Sequence, residues 1–218
     1  MTDKTALYNI DTIIWDWNGT LLDDTDICIR SMNLMLTENK MQPIDRDIYK
    51  NLFTFPVREY YEKIGWDFSK VSFDKIGIEF MDHYFSFLPE SALHAHAKMI
   101  LERFRQKGYK QTVLSAMEHD ALEISLHDKG IRPYFELVQG INNHYAYGKL
   151  ETAQQLLSKI NRDRENICLI GDTLHDLEVA EQIGCHCVLV ADGHQSFARL
   201  ENAGVLVLES LSDLENLC

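Results

Sequence analysis

Apolar runs of strand length recur along the chain, and helical patterns separate most of them. The first run, 12–17, ends in Asn18-Gly19 and is typical of a buried strand followed by a tight turn. Similar runs lie at 111–115, 135–139, 167–171, 187–191 and 205–208. Helical periodicity covers 95–107, 118–129, 150–160, 174–183 and 196–202. Strands alternating with helices predict an α/β fold in which a parallel sheet carries helices on both faces.

One long segment, 24–88, interrupts this alternation because it contains no convincing strand. Helices are predicted over 24–39, 45–52, 57–64 and 71–87, and Pro43, Pro56 and Pro89 punctuate them. This block of helices follows directly after the first strand. We therefore predict an α/β core made of residues 1–22 and 90–218, with a helical cap domain, residues 23–89, inserted into it.

Charge and composition narrow the choice of partners and location. The 21 basic and 34 acidic side chains give a formal net charge of −13, which argues against nucleic acid or an anionic membrane as the main partner. No signal peptide is expected from the first residues, and the sequence has no apolar stretch of about 20 residues. Its five cysteines match no zinc motif and are interpreted as reduced thiols, so a cytoplasmic protein is expected.

Polar side chains follow several of the predicted strands. In open parallel sheets, ligands bind at the carboxyl ends of the strands, so residues at those ends are expected to converge on one cleft. The residues found there are Asp16, Asn18 and Thr20 after the first strand, Ser115 after the second, Lys149 after the third, and Asp172 and Asp176 after the fourth.

This set of side chains suits phosphoryl transfer. A carboxylate can attack phosphorus and form an acyl phosphate, while a hydroxyl and an ammonium group hold the phosphoryl oxygens. Further carboxylates can hold Mg2+, which prefers oxygen ligands and water. A phosphate substrate is compatible with the acidic chain because a bound cation reverses the local field.

Each residue alone also has a simpler interpretation. Asp16 before Asn18-Gly19 is typical of a turn, Lys149 of a solvated helix, and Asp176 of the protein surface. Ser115 and Asp172 are each plausible helix N-caps. The joint order of the residues, each at a predicted strand end, favours the phosphoryl-transfer site.

The four motifs, in this order, resemble the haloacid dehalogenase-like hydrolase superfamily. The helical insert after the first motif resembles the subfamily that includes phosphoglycolate phosphatase, and Asp192-Gly193-His194-Gln195-Ser196 resembles its C-terminal part. The resemblance implies a Rossmann-like three-layer core with a helical cap. It implies that Asp16 is the nucleophile and binds Mg2+ together with Asp172 and the backbone carbonyl of Asn18. It further implies that Thr20, Ser115 and Lys149 bind the phosphoryl group, with Asp176 and Thr173 in support.

One position departs from the family pattern. The family usually has Asp two residues after the nucleophile, as a general acid and base, where this chain has Asn18. An amide cannot protonate a leaving alkoxide, and acid–base help is typically worth ~10²–10⁴ in rate. The departure leaves three explanations: another group substitutes, the natural substrate has a good leaving group, or catalysis is weak.

The expected activity is hydrolysis of a small phosphorylated metabolite, and two other functions stay open. One is a regulatory phosphate-binding protein without useful turnover. The other is carbon–phosphorus bond cleavage resembling phosphonoacetaldehyde hydrolase, with Lys50 or Lys63 as the Schiff-base lysine. Arg58 of the cap is a candidate clamp for the substrate, or it pairs with Glu62 at i,i+4 spacing. The sequence does not predict an oligomeric state.

Overall fold

The structure is a computed structural model that describes residues 9–141 and 149–217. Its strands are β1 (Thr12–Trp15), β2 (Leu22–Asp23), β3 (Ala92–Leu93), β4 (Lys110–Glu118), β5 (Leu137–Ile141), β6 (Ile167–Gly171), β7 (His186–Val190) and β8 (Leu206–Leu208). Its helices are α1 (Thr25–Glu38), α2 (Arg46–Leu52), α3 (Val57–Lys63), α4 (Phe73–Phe87), α5 (Ala97–Gln106), α6 (His119–Asp128), α7 (Lys149–Lys159), α8 (Leu174–Ile183) and α9 (Phe197–Leu200).

Six strands form one parallel sheet in the order β5-β4-β1-β6-β7-β8, within the described part of the chain. Strand β1 is central because it pairs with β4 on one side and β6 on the other. Its side chains from Ile13 to Trp15 are fully buried, as expected for a strand covered on both faces. The predicted α/β fold is confirmed, and Asp16 lies at the carboxyl end of its central strand.

Helices cover both faces of the sheet. On one face, Ile14 and Leu169 pack against α7 and α8. On the other, Ile13 and Trp15 belong to a larger cluster that includes α5. The indole of Trp15 donates to Gln111 Oε1 at 3.0 Å, so its one polar atom is satisfied inside this core. The three-layer arrangement predicted from the sequence is therefore present.

The segment between β2 and β3 contains α1 to α4, so the predicted inserted helices are confirmed as elements. The short strands themselves were not predicted. Residues Leu22 and Asp23 pair antiparallel with Leu93 and Ala92, which brings the two connections of the insert side by side. Two-residue strands are too short to produce a recognisable alternation. The exact domain boundaries stay a prediction.

The apolar face of the insert is continuous with the core. Buried Tyr49 and Tyr60 belong to the same hydrophobic cluster as Trp15 and Trp17. The helical insert is thus packed onto the sheet at the end where β1 terminates. No helix in residues 9–141 or 149–217 has the length and apolar character to cross a bilayer.

Candidate active site at the carboxyl ends of the strands

Four charged side chains meet where β1 and β6 end. Asp16 follows β1, Asp172 follows β6, Asp176 lies in the first turn of α8, and Lys149 begins α7. The ammonium group of Lys149 contacts Oδ1 of both Asp16 and Asp176, and all four side chains are buried. The alternatives of a solvated Lys149 and a surface Asp176 are therefore wrong. The predicted convergence of the strand ends is present for these residues.

The hydroxyl of Thr20 connects the two carboxylates nearest to the strand ends. Its Oγ1 lies 3.1 Å from Asp16 Oδ2 and 3.0 Å from Asp172 Oδ1. Asp172 Oδ2 in turn accepts from the backbone N–H of His194 at 2.6 Å. Thr20 and His194 thus fix Asp172 from two separate loops.

Glycine allows these loops to approach Asp172. A Cβ atom on Gly19, which has a φ of +76°, would lie 2.4 Å from Asp172 Oδ2. A Cβ on Gly193 would lie 2.1 Å from the same oxygen. Neither position tolerates a side chain without moving the carboxylate, so both glycines belong to the geometry of the site.

The start of α8 holds Asp176 in place. Its Oδ2 accepts from the backbone N–H and the hydroxyl of Thr173, at 3.0 and 2.8 Å. Thr173 is the N-cap of α8, so the alternative that Asp172 is an N-cap is wrong. Because Asp176 is tied to the helix start by one oxygen, the other is available to Lys149.

Acidic groups outnumber basic ones in this cluster, and the pKa values of its members are shifted from their usual ranges. Burial raises the pKa of Asp16 to about 8; Lys149 opposes the rise, and Asp176 and Asp172 add to it. Burial also raises the pKa of Asp172, although His194 opposes it. For Asp176 the nearby Lys149 outweighs burial and lowers the pKa. Burial would lower the pKa of Lys149, but Asp16 and Asp176 raise it instead.

The donor set suits a divalent cation. One carboxylate oxygen from each of Asp16, Asp172 and Asp176 lies within 4.8 Å of the others, all in buried side chains. Carboxylate oxygens are the ligands that Mg2+ prefers, and a cation offsets the excess negative charge.

Ser115 and Asn18 contact each other beside Asp16. Ser115 Oγ lies 3.2 Å from Asn18 Oδ1 and accepts from the backbone N–H of Met117 at 3.0 Å. Ser115 does not cap α6, because Glu118 does so through its own carboxylate. Strand β4 also extends beyond the predicted end at Ser115 as far as Glu118, with a register shift after Leu114.

A second buried charge pair, absent from the prediction, adjoins the site. Asp24 Oδ1 lies 3.4 Å from Nε2 of His194, whose Nδ1 lies 3.0 Å from the hydroxyl of Tyr49. Burial alone would lower the pKa of His194, but Asp24 raises it to about 9. Burial opposes the ionised form of Asp24, yet His194, Tyr84 and Asn18 lower its pKa. The pKa shifts therefore favour an ionised Asp24 beside a protonated His194.

Only part of this pair was visible in the sequence. His194 lies in the segment 192–196 that resembles the family, but its partner is a residue predicted merely to begin a cap helix. Asp24 does begin α1, yet its carboxylate caps no N–H of that helix. It accepts instead from the backbone N–H of Gly19 at 2.8 Å. The signal available in the sequence was an acidic residue five positions after Gly19.

The cap residue Arg58 does not join the cluster in the contacts that the structure describes. Its Nε donates to Glu62 Oε1 at 3.1 Å, and its guanidinium lies over the ring of Phe68. The i,i+4 pairing is therefore present, and a contact with substrate stays a proposal. His175, in the first turn of α8, contacts Glu178 and stacks on Phe55.

Helix α2 docks on the loop after β7. The ammonium of Lys50 donates to the carbonyl of Ala191 at 3.2 Å, and Gln195 Nε2 donates to the carbonyl of Phe53 at 3.1 Å. Arg199 donates to the carbonyl of Lys50 at 3.2 Å. These contacts hold the end of α2 above the loop that contains His194.

The described residues thus combine a parallel sheet and a helical insert after its central strand with a buried carboxylate at the end of that strand. A lysine and two more carboxylates lie beside it. The family model described as haloacid dehalogenase-like hydrolase matches residues 13–190. The chain therefore belongs to the haloacid dehalogenase-like hydrolase family, as the sequence motifs indicated.

Similar proteins cover nearly the whole chain. A pyrophosphatase of Listeria monocytogenes is 25% identical over 218 residues, with 94% of each chain covered. A phosphoglycolate phosphatase of Synechococcus elongatus is 25% identical over 206 residues, covering 93% of this chain and 94% of its own. A haloacid dehalogenase-like family structure from Streptococcus pneumoniae has a TM-score of 0.75 at 18% identity, covering 95% of this chain and 97% of its own. At that identity the structural likeness concerns the fold alone.

Proposed function

We propose that this protein is a magnesium-dependent phosphatase that hydrolyses a small phosphorylated metabolite through an aspartyl-phosphate on Asp16. One observation carries the proposal: the Asp16 carboxylate lies at the end of the central strand, in contact with Lys149 and next to Asp172. Membership of the hydrolase family and relatives named as phosphatases and pyrophosphatases support it.

The metal site in this proposal is built from Asp16, Asp172 and the backbone carbonyl of Asn18. Mg2+ there would neutralise carboxylate and phosphoryl charge, which lets an anionic nucleophile approach an anionic phosphate. Asp16, whose pKa is about 8 without a cation, would then be ionised at neutral pH. Asp176 is the remaining member of the cluster, and its contact with Lys149 suits a supporting role.

The reaction then follows from the side chains in place. A carboxylate oxygen of Asp16 forms a bond to phosphorus while the bond to the leaving oxygen breaks, and the electron pair departs with that oxygen. Lys149, Ser115 and Thr20 would hold the phosphoryl oxygens. Water then attacks the phosphorus of phospho-Asp16, and the electron pair of the broken bond returns to the carboxylate.

The two competing functions receive less support. The buried Lys149 contact with Asp16 supports a catalytic role, because an ammonium group beside the carboxylate can hold a phosphoryl oxygen. For carbon–phosphorus cleavage, Lys63 is exposed, whereas Lys50 reaches the core loop and has its pKa lowered by burial. Schiff-base chemistry needs a neutral lysine, and a lowered pKa favours the neutral form. Lys50 is therefore the residue at which carbon–phosphorus cleavage can be tested.

We also propose a cytoplasmic location and no nucleic-acid partner. The four described cysteines form no disulfide with one another, which suits a reducing compartment. The acidic balance of −13 suits a small-molecule substrate held by a local cation rather than a polyanion held by a basic face.

A screen of phosphorylated metabolites, with and without Mg2+, tests this function. Phosphate release should require Mg2+ and should be lost in Asp16→Asn, because an amide cannot act as the nucleophile. Circular dichroism should confirm that the variant is folded. Metal-independent turnover, or turnover retained by Asp16→Asn, would contradict the proposal.

A further inference from the structure

The amide nitrogen of Asn18 is directed at the helical insert, and an amide carries no acidic proton for a leaving group. Its Nδ2 donates to Asp24 Oδ2 and to the hydroxyl of Tyr84, each at 2.8 Å. These two acceptors lie 2.7 Å from each other, so the N–H side of the amide faces the Asp24–Tyr84 pair. The opposite amide orientation would place Oδ1 against the Asp24 carboxylate, where two acceptors repel each other. The side chain therefore presents only its carbonyl oxygen, which faces Ser115.

The Asp24 carboxylate cannot rotate away from the Asn18 amide without losing its other contacts. It is 1% exposed and accepts from Asn18, the backbone N–H of Gly19 and the hydroxyl of Tyr84 at 2.7 Å. It also pairs with His194, whose Nε2 lies 3.4 Å away. Breaking one contact would leave a buried donor or acceptor unpaired, which is costly. The orientation of Asn18 is thus set by the insert, because Asp24 and Tyr84 come from α1 and α4 and their flanks.

Among the described residues, the other groups near Asn18 that carry a transferable proton already contact protein partners. The Tyr84 hydroxyl donates to Asp24, and the two ring nitrogens of His194 face Asp24 and Tyr49. The Lys149 ammonium contacts two carboxylates. Expulsion of an alkoxide requires a proton at the leaving oxygen. Asn18, two residues after the proposed nucleophile Asp16, provides none.

We propose that the substrates are compounds whose leaving oxygen departs as a stable anion, namely acyl phosphates and phosphoric anhydrides, rather than alkyl phosphate esters. This deepens the proposed function and rests on it. When Asp16 attacks such a compound, the bond between phosphorus and the bridging oxygen breaks, and the electron pair leaves with a carboxylate or phosphate that needs no proton. Water then cleaves phospho-Asp16, and both of its hydrogens end on the released dihydrogen phosphate.

The same contacts make residues 18 and 24 a coupled pair. Asn18→Asp alone would set two carboxylates against each other at a distance of 2.8 Å in the present geometry. Asp24→Asn in the same chain would supply a donor to the new carboxyl group. We therefore expect Asn18→Asp to lower the melting temperature, and Asp24→Asn to restore part of the loss in the double variant although it destabilises the native chain. Such non-additivity identifies direct interaction.

Substituted phenyl phosphates provide the activity test, because they share one scaffold and differ in the acidity of the departing phenol. For the native protein with Mg2+, log kcat/KM should fall steeply as the phenol becomes a weaker acid. In Asn18→Asp/Asp24→Asn the slope should flatten, with a gain on phenyl phosphate within the ~10²–10⁴ range of acid–base help and less than about tenfold on p-nitrophenyl phosphate. Asp23→Asn is the matched control, since it removes an adjacent carboxylate without an Asn18 contact, and should keep the native slope.

Three further compounds distinguish between acyl phosphates and phosphoric anhydrides as the substrate class. Acetyl phosphate represents acyl phosphates, pyrophosphate represents anhydrides, and glycerol phosphate represents alkyl esters. Higher kcat/KM for either of the first two than for the third supports the proposal and identifies the source. A flat native slope, or glycerol phosphate as the best of the three, would overturn it while leaving the phosphatase intact. Absence of Mg2+-dependent turnover on every compound would instead overturn the proposed function.

Discussion

At the scale of single residues, burial sets the chemistry of Asp16. The carboxylate lies at the end of a fully buried strand, and three other ionisable groups share the space around it. One lysine does not balance three carboxylates, so protonation of Asp16 is favoured until a cation arrives. The proposed nucleophile and the proposed metal site thus have the same physical origin.

This origin predicts a pH dependence of stability. The folded pKa of Asp16, about 8, lies above its value of 3.8 in the unfolded chain, so the native state binds more protons between those values. Unfolding free energy should therefore fall as pH rises through that window. His194 acts in the same direction from about pH 6.5 to 9, because the stability from its raised pKa is lost as it deprotonates.

Thermal melts from pH 5 to 8 in the absence of divalent cations measure this effect. Asp16→Asn is the matched control because it removes one titration and preserves shape, so its melting temperature should fall less. Addition of Mg2+ at pH 8 should raise the melting temperature of the native protein more than that of the variant. Equal pH dependence in the two proteins would show that Asp16 titrates normally.

At the scale of elements, the first turn of α8 contributes a carboxylate, Asp176, to the candidate site. Thr173 and Asp176 bond to each other across the first turn, which satisfies the end of the helix and points Asp176 at Lys149. A second capping box, Ser210 with Asp213, starts the 3-10 helix Leu211–Asn216 and contacts none of the clustered carboxylates. The chain therefore offers two similar caps, one inside the site and one outside it.

Thr173→Ala and Ser210→Ala should separate stability from activity. Each loses a cap, so each should cost about 1 kcal/mol in the free energy of unfolding. Only Thr173→Ala should also lower kcat, because Asp176 loses a constraint on its contact with Lys149. Urea titrations and steady-state kinetics give both quantities. A comparable kcat loss in Ser210→Ala would mean that general destabilisation is responsible.

At the scale of the whole molecule, the sequence predicted the fold better than it predicted the full site. Alternation of apolar runs with helical patterns was sufficient for the sheet, since β1 and β6 are buried on both faces. Asp16, Lys149 and Asp172 were found because parallel strands end at one edge of the sheet.

The network around Asp24 could not be found in this way. Tyr84 lies in an amphipathic helix pattern and Tyr49 in a short cap helix, and both are indistinguishable from ordinary core residues in the sequence. Their hydroxyls reach Asp24 and His194 only because the insert docks on the sheet. That docking depends on tertiary contacts such as Arg199 with the end of α2, which no local pattern contains.

For the whole molecule, the proposed mechanism begins with attack by Asp16, and direct detection of the covalent intermediate is the sharpest test. The native protein, mixed with Mg2+ and acetyl phosphate and quenched in acid within its first turnovers, should gain the mass of one phosphoryl group. Peptide mapping should place that group on Asp16, and Asp16→Asn should gain none. A phosphoryl group found on Ser115 or a histidine instead, or turnover by Asp16→Asn without any covalent species, would contradict the account.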